Sequence, residues 1–123
     1  MKQNNKIFSE NLKKRIYAFI LKLIKLIEHL PRYDALCQVV RDQLMRSGTS
    51  IGANYIEAVA ASSKKDFTNF LTYSLKSANE SKFWLALLRD TGKIETSEAN
   101  KLLKELIEIA SILGSSVRTL KRQ

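Results

Sequence analysis

The fold of this chain is decided by residues 46–57, which read RSGTSIGANYIE. The stretch carries two of the four glycines, Gly48 and Gly52. If this stretch formed a loop, so many small and polar residues would be ordinary. As a helix, the same residues form a polar stripe beside an apolar stripe. The polar stripe consists of Arg46, Ser50, Asn54 and Glu57, and the apolar stripe consists of Ile51, Tyr55 and Ala58.

The preceding segment favours the helix. Its apolar residues and those of the apolar stripe form one series in helical phase: Leu36, Val40, Leu44, Ile51, Tyr55 and Ala58. Each glycine inside a helix lowers its stability by roughly 1 kcal/mol relative to alanine, so a packing interaction must compensate for this loss. We therefore expect a neighbouring backbone to approach closely at Gly48 and Gly52.

The composition is that of one globular domain. The chain has 123 residues, of which 45% are hydrophobic and 27% charged. One proline and four glycines leave few turns for an all-β fold. The single cysteine, Cys37, excludes an intramolecular disulfide and is expected to be a buried thiol. Residues 16–27 are the most hydrophobic run, but Lys22 and Lys25 interrupt it, so neither a signal peptide nor a membrane span is predicted and a cytoplasmic location is expected.

The amino-terminal region begins with a polar segment. Residues 1–8 show no periodicity and are expected to be frayed. An amphipathic helix is predicted from an N-cap at Ser9 to about Leu30, where Pro31 ends it. Residues 9–123 are then expected to form a single domain.

Three further helices are predicted. The second starts within residues 32–34. Residues 63–66 resemble a capping box for the third helix, which is predicted to run to about Thr91 with Gly92 as its C-cap. Thr96 or Ser97 is expected to cap the fourth. Four helices with short connections predict an all-α fold, an antiparallel up-down-up-down four-helix bundle.

Antiparallel pairing of the two central helices predicts their register. Residues whose numbers sum to about 126 should lie side by side, because both helices rise equally per residue. Arg46 then faces Glu80, as a partly buried ion pair or as an exposed pair that contributes little. Gly48 lies near Ala78. The predicted structural or interface residues are Arg46, Gly48, Ser50, Gly52, Asn54, Glu57, Glu80 and Trp84.

Trp84 lies one helical turn after Glu80, on a second face of the third helix. Such a face fits either a neighbouring helix of the same bundle or a subunit interface, where tryptophan is enriched. The sequence leaves these two alternatives open.

The charge is strongly basic. Twenty-one Lys and Arg against twelve Asp and Glu give a formal net charge of +9. This favours an anionic partner, nucleic acid first, although a basic surface that serves only solubility is the alternative. In the bundle, residues 1–15, 64–66 and 118–122 meet at one end, which we call the basic pole. The predicted phosphate contacts there are Lys13, Lys14, Arg15, Lys64, Lys65, Arg118, Lys121 and Arg122.

No catalytic constellation is evident in the sequence. His29 is the only histidine, and no Cys and His cluster has the spacing of metal ligands. The predicted register places Glu57 opposite Thr68 rather than beside Glu80, so a pair of catalytic carboxylates is not expected. We predict a non-enzymatic protein without a cofactor.

Several short motifs follow one another along the two central helices. They are RSGTSIGAN at 46–54, EA at 57–58, SKKDF at 63–67, SANE at 77–80 and FWL at 83–85. Taken together they resemble the bacterial four-helix-bundle family named for reading frames in the intervening sequences of 23S ribosomal RNA. The resemblance implies a homo-oligomer, a five-membered ring around a central channel. It also implies kinship with the accessory proteins of diversity-generating retroelements, small basic bundles that bind nucleic acid and a reverse transcriptase.

Two functions are therefore expected as alternatives. The first is a homo-oligomer that binds nucleic acid, RNA in preference to DNA, through backbone phosphates and without contact with a membrane. The second is a structural adaptor whose ring presents surfaces to a protein partner such as a reverse transcriptase.

Overall fold

The computed structural model describes residues 2–123, and the side chains of residues 8–123. It contains four helices: α1 (Lys2–Glu28), α2 (Ala35–Ala60), α3 (Lys64–Asp90) and α4 (Thr96–Lys121). Within the described residues there is no strand. Each helix packs against the next one in the chain, and α1 also packs against α4, which closes the ring of helices around one core. The predicted all-α four-helix bundle is confirmed.

The first helix starts earlier than predicted. It begins at Lys2, whereas the expected N-cap was Ser9. Residues 2–8 contain neither glycine nor proline, so nothing in this polar segment breaks the helix. The predicted fraying of residues 1–8 stays a prediction, because Met1 and the side chains of residues 2–7 lie outside the described part of the structure.

The capping groups of α2 and α3 follow from their sequences. Asp34 caps α2, and its Oδ2 accepts a hydrogen bond from the Cys37 N–H at 3.0 Å. Ser63 caps α3, and its Oγ accepts from the Asp66 N–H at 3.1 Å, as predicted.

The turn between α3 and α4 is a Schellman motif. Gly92 has a φ of 72°, and the Lys93 N–H donates to the Leu88 carbonyl at 2.9 Å. The predicted helix end near Thr91 is confirmed, but Thr91 itself is the C-cap and Gly92 is the residue after it. The predicted caps of α4 were wrong: Thr96 already belongs to the helix, and the N-cap is Glu95, which makes no side-chain capping bond. The reason is geometric, since Glu95 has the extended backbone, with a ψ of 138°, that an N-cap adopts.

Residues 46–57 lie entirely within α2, so the helical interpretation of this stretch is confirmed. The apolar series is buried from Val40 through Ala58, and Leu36 is partly buried. The predicted register between α2 and α3 is also confirmed, because Arg46 forms an ion pair with Glu80.

The closest helix contact, between α2 and α3, is made by small residues. Ser47 of α2 and Ser81 of α3 share a hydrogen bond at 2.8 Å. Ser74 of α3 donates to the Ile51 carbonyl at 2.7 Å. These three serines and Ala78 of α3 are completely buried. We call them the small-residue seam; because they have short side chains, the two backbones can approach closely.

The two glycines of α2 leave room for side chains of α1. A Cβ at Gly48 would lie 2.3 Å from Cδ2 of Leu23. A Cβ at Gly52 would lie 2.8 Å from Cδ1 of Ile20. The expected close approach of a backbone was also wrong, since side chains of α1 fill the space. Consecutive helical positions point about 100° apart, so Ser47 can face α3 while Gly48 faces α1.

Substitution of Gly48 by alanine should destabilise the protein. Its Cβ would overlap the almost completely buried Leu23, so the side chain could not move away freely. We expect a loss of about 1–3 kcal/mol in the free energy of unfolding, measured by urea denaturation. Gly114→Ala is the matched control, because the nearest atom there is Nη1 of the exposed Arg118 at 3.4 Å. It should be neutral or should stabilise the helix by up to about 1 kcal/mol. Equal effects of the two substitutions would contradict this explanation.

An ion pair connects the start of α2 with the turn before α4. Lys93 Nζ donates to Asp34 Oδ1 at 2.6 Å, while the other oxygen caps α2. The bond from Lys93, followed by the bond from the Cys37 N–H, lowers the pKa of Asp34 to about 2. A carboxylate whose pKa is lowered on folding stabilises the protein above its unfolded pKa and loses that contribution as the pH falls through its folded pKa.

We therefore expect Asp34 to make the unfolding free energy pH-dependent in the acidic range. Urea denaturation should show that Asp34→Asn lowers stability at about pH 5, and that the difference from the wild type shrinks as the pH approaches about 2. Asparagine remains a good N-cap, so the variant isolates the charge. Asp42→Asn, at an exposed position of α2, is the control and should leave the pH profile unchanged. A difference that stays constant with pH would exclude this role of Asp34.

Candidate nucleic-acid interface

The basic pole is built from the start of α3 and the end of α4. Nζ of Lys64, the first residue of α3, donates to the Gln123 carbonyl at 3.4 Å. This contact places the two helix ends side by side. Lys64, Lys65, Lys121 and Arg122 are all exposed. The structure thus brings four of the predicted phosphate-binding residues to one end of the bundle.

Arg118, which belongs to the basic pole, has its guanidinium group close to Gly114. Its side chain is exposed, and Nη1 lies 3.4 Å from the position that a Cβ would take at Gly114. The guanidinium group therefore folds back along α4, near Leu75 of α3. With Lys121 it also places positive charge in the last turn of α4, where the helix dipole favours cations.

Arg15 is an exception among the predicted phosphate contacts, because carboxylates of α4 already hold it. Its Nε and Nη2 donate to the two oxygens of Glu105 at 2.8 and 2.7 Å, and Nη2 also contacts Glu108. The bond to Glu105 raises the pKa of Arg15 above its ordinary value, and the same bond lowers the pKa of Glu105. Bidentate pairing of this kind is strong, so the guanidinium is not available to a phosphate unless the pair opens.

Lys13 and Lys14 lie on another side of the molecule. Both are exposed and line a groove between α1 and α2 of about 670 Å³. Among the described residues, α1 packs against α2 and α4 but not against α3, on which Lys64 and Lys65 lie. Two of the predicted phosphate contacts thus lie beside this groove.

The groove between α1 and α2 is mostly apolar. Tyr17 is 65% exposed, and Leu21 and Ile56 are also exposed large hydrophobic residues along it. Gly52 and Ala53 line it from α2. We call this surface the α1–α2 groove. An apolar surface of this kind is typical of a contact with another molecule.

A polar cluster lies on the outer face of α2 and α3. Arg46 Nη2 donates to Gln43 Oε1 at 3.0 Å and pairs with Glu80 Oε2, which also accepts from Trp84 Nε1 at 3.0 Å. The Arg46 side chain is 56% exposed and that of Glu80 37%, so water reaches both partners of the pair. Trp84 is half-buried and lies edge-on to the ring of Phe83 at 4.9 Å between centroids.

The rest of the predicted polar stripe does not converge on a ligand site. Asn54 Nδ2 donates to the Ser50 carbonyl at 3.0 Å, so the amide is used within α2. Glu57 is exposed. This part of α2 presents helix surface rather than a pocket.

Two serines were missed by the sequence analysis, although a signal for them was present. The predicted apolar series has a gap between Leu44 and Ile51 in α2, and the buried apolar residues of α3 leave a matching gap between Ala78 and Leu85. Ser47 and Ser81 occupy these gaps at helical spacing, and they bond to each other. Counting small polar residues at core positions would have found them.

The described side chains hold no group of three or more His, Cys, Asp or Glu residues placed to bind a metal ion. Cys37 is completely buried and desolvation raises its pKa, so the prediction of a buried thiol is confirmed. The exposed His29 has its ring Nδ1 2.7 Å from the Lys25 carbonyl. None of the four helices, as far as they are described, is long and apolar enough to cross a membrane.

Comparison with known proteins agrees with the fold. A crystal structure of a protein of unknown function from the S23 ribosomal protein family of Bacteroides thetaiotaomicron VPI-5482 is similar, with 34% sequence identity and a TM-score of 0.81. The alignment covers 89% of this chain and 97% of that one. No curated protein matches the chain.

A family model described as 23S rRNA-intervening sequence protein matches residues 10–115. The match includes both central helices and most of α1 and α4. The chain belongs to the 23S rRNA-intervening sequence protein family.

Proposed function

We propose that this protein is a non-enzymatic, cytoplasmic homo-oligomer that binds structured RNA through backbone phosphates at the basic pole. The observation that carries the proposal is the contact between Lys64 and Gln123, which joins two basic helix ends. The cations that form the proposed interface are Lys64, Lys65, Arg118, Lys121 and Arg122. We leave Arg15 out of it, because Glu105 and Glu108 neutralise its charge.

The chemistry of the pole supports a polyanion as the partner. Lysine and arginine side chains neutralise phosphates and release counterions, which gives affinity without sequence readout. Lys121 and Arg122 project from the end of a helix, so they can reach a surface that the sides of the bundle do not contact. The name of the family refers to 23S rRNA, which supports RNA over DNA as the first partner to test.

The charge-reversal variant Lys64→Glu/Lys65→Glu/Lys121→Glu should lose affinity for a structured RNA at least tenfold at about 0.1 M salt. Each lost phosphate contact also removes a counterion-release step. The negative slope of log K against log salt should therefore become shallower by about 2 to 3. Fluorescence anisotropy with an RNA hairpin and a DNA duplex of matched length measures both quantities.

The matched control reverses three exposed lysines away from the pole: Lys25, Lys76 and Lys104. This control changes the net charge by the same amount. A loss of RNA affinity that occurs only in the charge-reversal variant at the pole therefore identifies a local binding site. Equal losses in both variants would show that only the total charge matters. Unchanged RNA affinity of the charge-reversal variant at the pole would reject RNA binding there and favour the adaptor alternative.

The α1–α2 groove supports the homo-oligomeric part of the proposal. A second apolar surface lies on α3, where Tyr73 and Phe83 are exposed. Contact between two different faces of identical subunits is heterologous, and such contacts close into a ring when the rotation permits. The five-membered ring is the assembly that the family resemblance implies, and it would present several basic poles to one nucleic acid.

We expect Leu21→Lys/Ile56→Lys to dissociate the oligomer, because two charges would be buried in an apolar contact. Light scattering after size exclusion at micromolar concentration measures the mass. Ile107→Lys, on the exposed face of α4, is the control and should keep the wild-type mass. A wild-type protein that runs as a monomer would reject the ring. An oligomer that persists in the double variant would exclude the groove as the interface.

The adaptor alternative also uses the α1–α2 groove, with a helix of a protein partner in place of another subunit. The size and apolar lining of the groove suit an amphipathic helix of such a partner. Under this alternative, Leu21→Lys/Ile56→Lys would abolish partner binding without changing the mass of the protein.

A further inference from the structure

A second cavity opens at the basic pole, where the ends of all four helices meet. Its volume is about 460 Å³, which is within the range of small-molecule sites. Phe8 of α1, Phe67 of α3 and Tyr55 of α2 line it, together with five residues of α4: Leu113, Ser115, Ser116, Thr119 and Leu120. It is separate from the α1–α2 groove, with which it shares only Tyr55.

Two phenylalanine rings stand at this cavity. Phe8 is 52% exposed, and Phe67 is half-buried against the core. Among the described side chains, neither ring belongs to an aromatic pair. Both residues line the cavity, so each ring offers it a surface on which a planar aromatic ligand stacks favourably.

Hydroxyl groups supply polar contacts inside the same cavity. Tyr55 Oη donates to the Ser9 carbonyl at 3.0 Å, and Ser116 Oγ donates to the Ile112 carbonyl at 2.9 Å. Each oxygen keeps lone pairs that can accept a further hydrogen bond. Thr119 adds an exposed hydroxyl that can donate or accept. A flat ligand with donors and acceptors around its edge matches this lining better than a purely apolar one does.

The position of the cavity joins it to the phosphate-binding residues. Lys64 lies one helical turn before Phe67, and Lys121 follows Leu120, which lines the cavity. The contact between Lys64 and Gln123 draws both cations to this end of the bundle. A ligand with an aromatic base and flanking negative charges would satisfy the two features together.

We propose that this cavity receives one unpaired nucleobase, stacked on Phe8 and Phe67, while Lys64 and Lys121 hold the neighbouring phosphates. The inference rests on the proposed function and makes it more specific. The preferred partner is a single-stranded loop or end, because a base inside a duplex cannot leave its stack without losing its pairing. Recognition by stacking is tolerant of sequence, so we expect a preference for unpaired structure rather than for one base.

The test is a thermodynamic cycle between protein and RNA. The protein variant is Phe8→Leu/Phe67→Leu, which removes the rings but keeps apolar side chains. The RNA variant is the same hairpin with abasic nucleotides in its loop, which keeps the phosphates. We expect each change alone to weaken binding about tenfold, and both together to weaken it no further. Affinity for a fully paired duplex and the salt slope should stay unchanged in the protein variant.

Tyr33→Leu is the control, because it removes a ring that is 87% exposed in the connection between α1 and α2 and that lines neither the cavity nor the α1–α2 groove. It should bind the normal hairpin like the wild type. Urea denaturation of the Phe8→Leu/Phe67→Leu protein confirms that it is folded at the binding temperature.

The outcomes separate this inference from the proposed function. If the wild type binds the normal hairpin no better than the abasic one, the base site is rejected while phosphate binding stands. Additive losses in the cycle, or an equal loss on the duplex, also reject the base site. If the wild type binds neither hairpin nor duplex, the proposed function fails and the base site fails with it.

Discussion

The structure depends on the close contact between α2 and α3, where the small-residue seam lies. Burial of a hydroxyl without a partner is costly, but Ser47 and Ser81 satisfy each other and Ser74 bonds to the Ile51 carbonyl. The described side chains contain no buried polar atom without a hydrogen bond. Short side chains and internal bonding together let two helices pack closely and at a single register, because a shift of the helices would leave these hydroxyls unpaired.

The two sides of α2 use small residues in different ways. Its serine contributes a directed hydrogen bond to α3, whereas its glycines leave room for Leu23 and Ile20 of α1. A glycine has no side chain to form a directed hydrogen bond. The contact of α2 with α1 therefore depends on how the larger side chains of α1 fit the space. The α1–α2 groove lies on this side of the bundle, and the polar cluster of Arg46 and Glu80 lies on the other.

The distribution of charge follows from the connections between helices. The short turn between α3 and α4 makes these two helices antiparallel, so the start of α3 lies next to the end of α4, and both segments are rich in lysine and arginine. At the opposite end, Asp34 and Lys93 pair with each other. Cations are therefore exposed at one pole, while at the other end an ion pair joins the two turns.

Much of the fold could be predicted because the evidence for it is local. An α-helix has a fixed period, so the phase of apolar residues across Gly48 and Gly52 indicated a continuous helix. A short turn joins α2 to α3, so counting residues from that turn also predicted that Arg46 would meet Glu80. The start of α1 was harder to predict, because the polar residues before Ser9 carry neither an apolar pattern nor a helix breaker.

By itself the sequence determined the number and order of the helices, the register of α2 against α3, and the excess of positive charge. Only the tertiary structure decided which cations are available and which faces are open. Arg15 meets Glu105 and Glu108 across the contact of α1 with α4, which no turn joins, so counting residues could not reveal the pairing. The cavity between Phe8 and Phe67 likewise requires helices that are distant in the chain to meet at one end. Periodicity is a property of one helix, whereas such contacts depend on how all four pack.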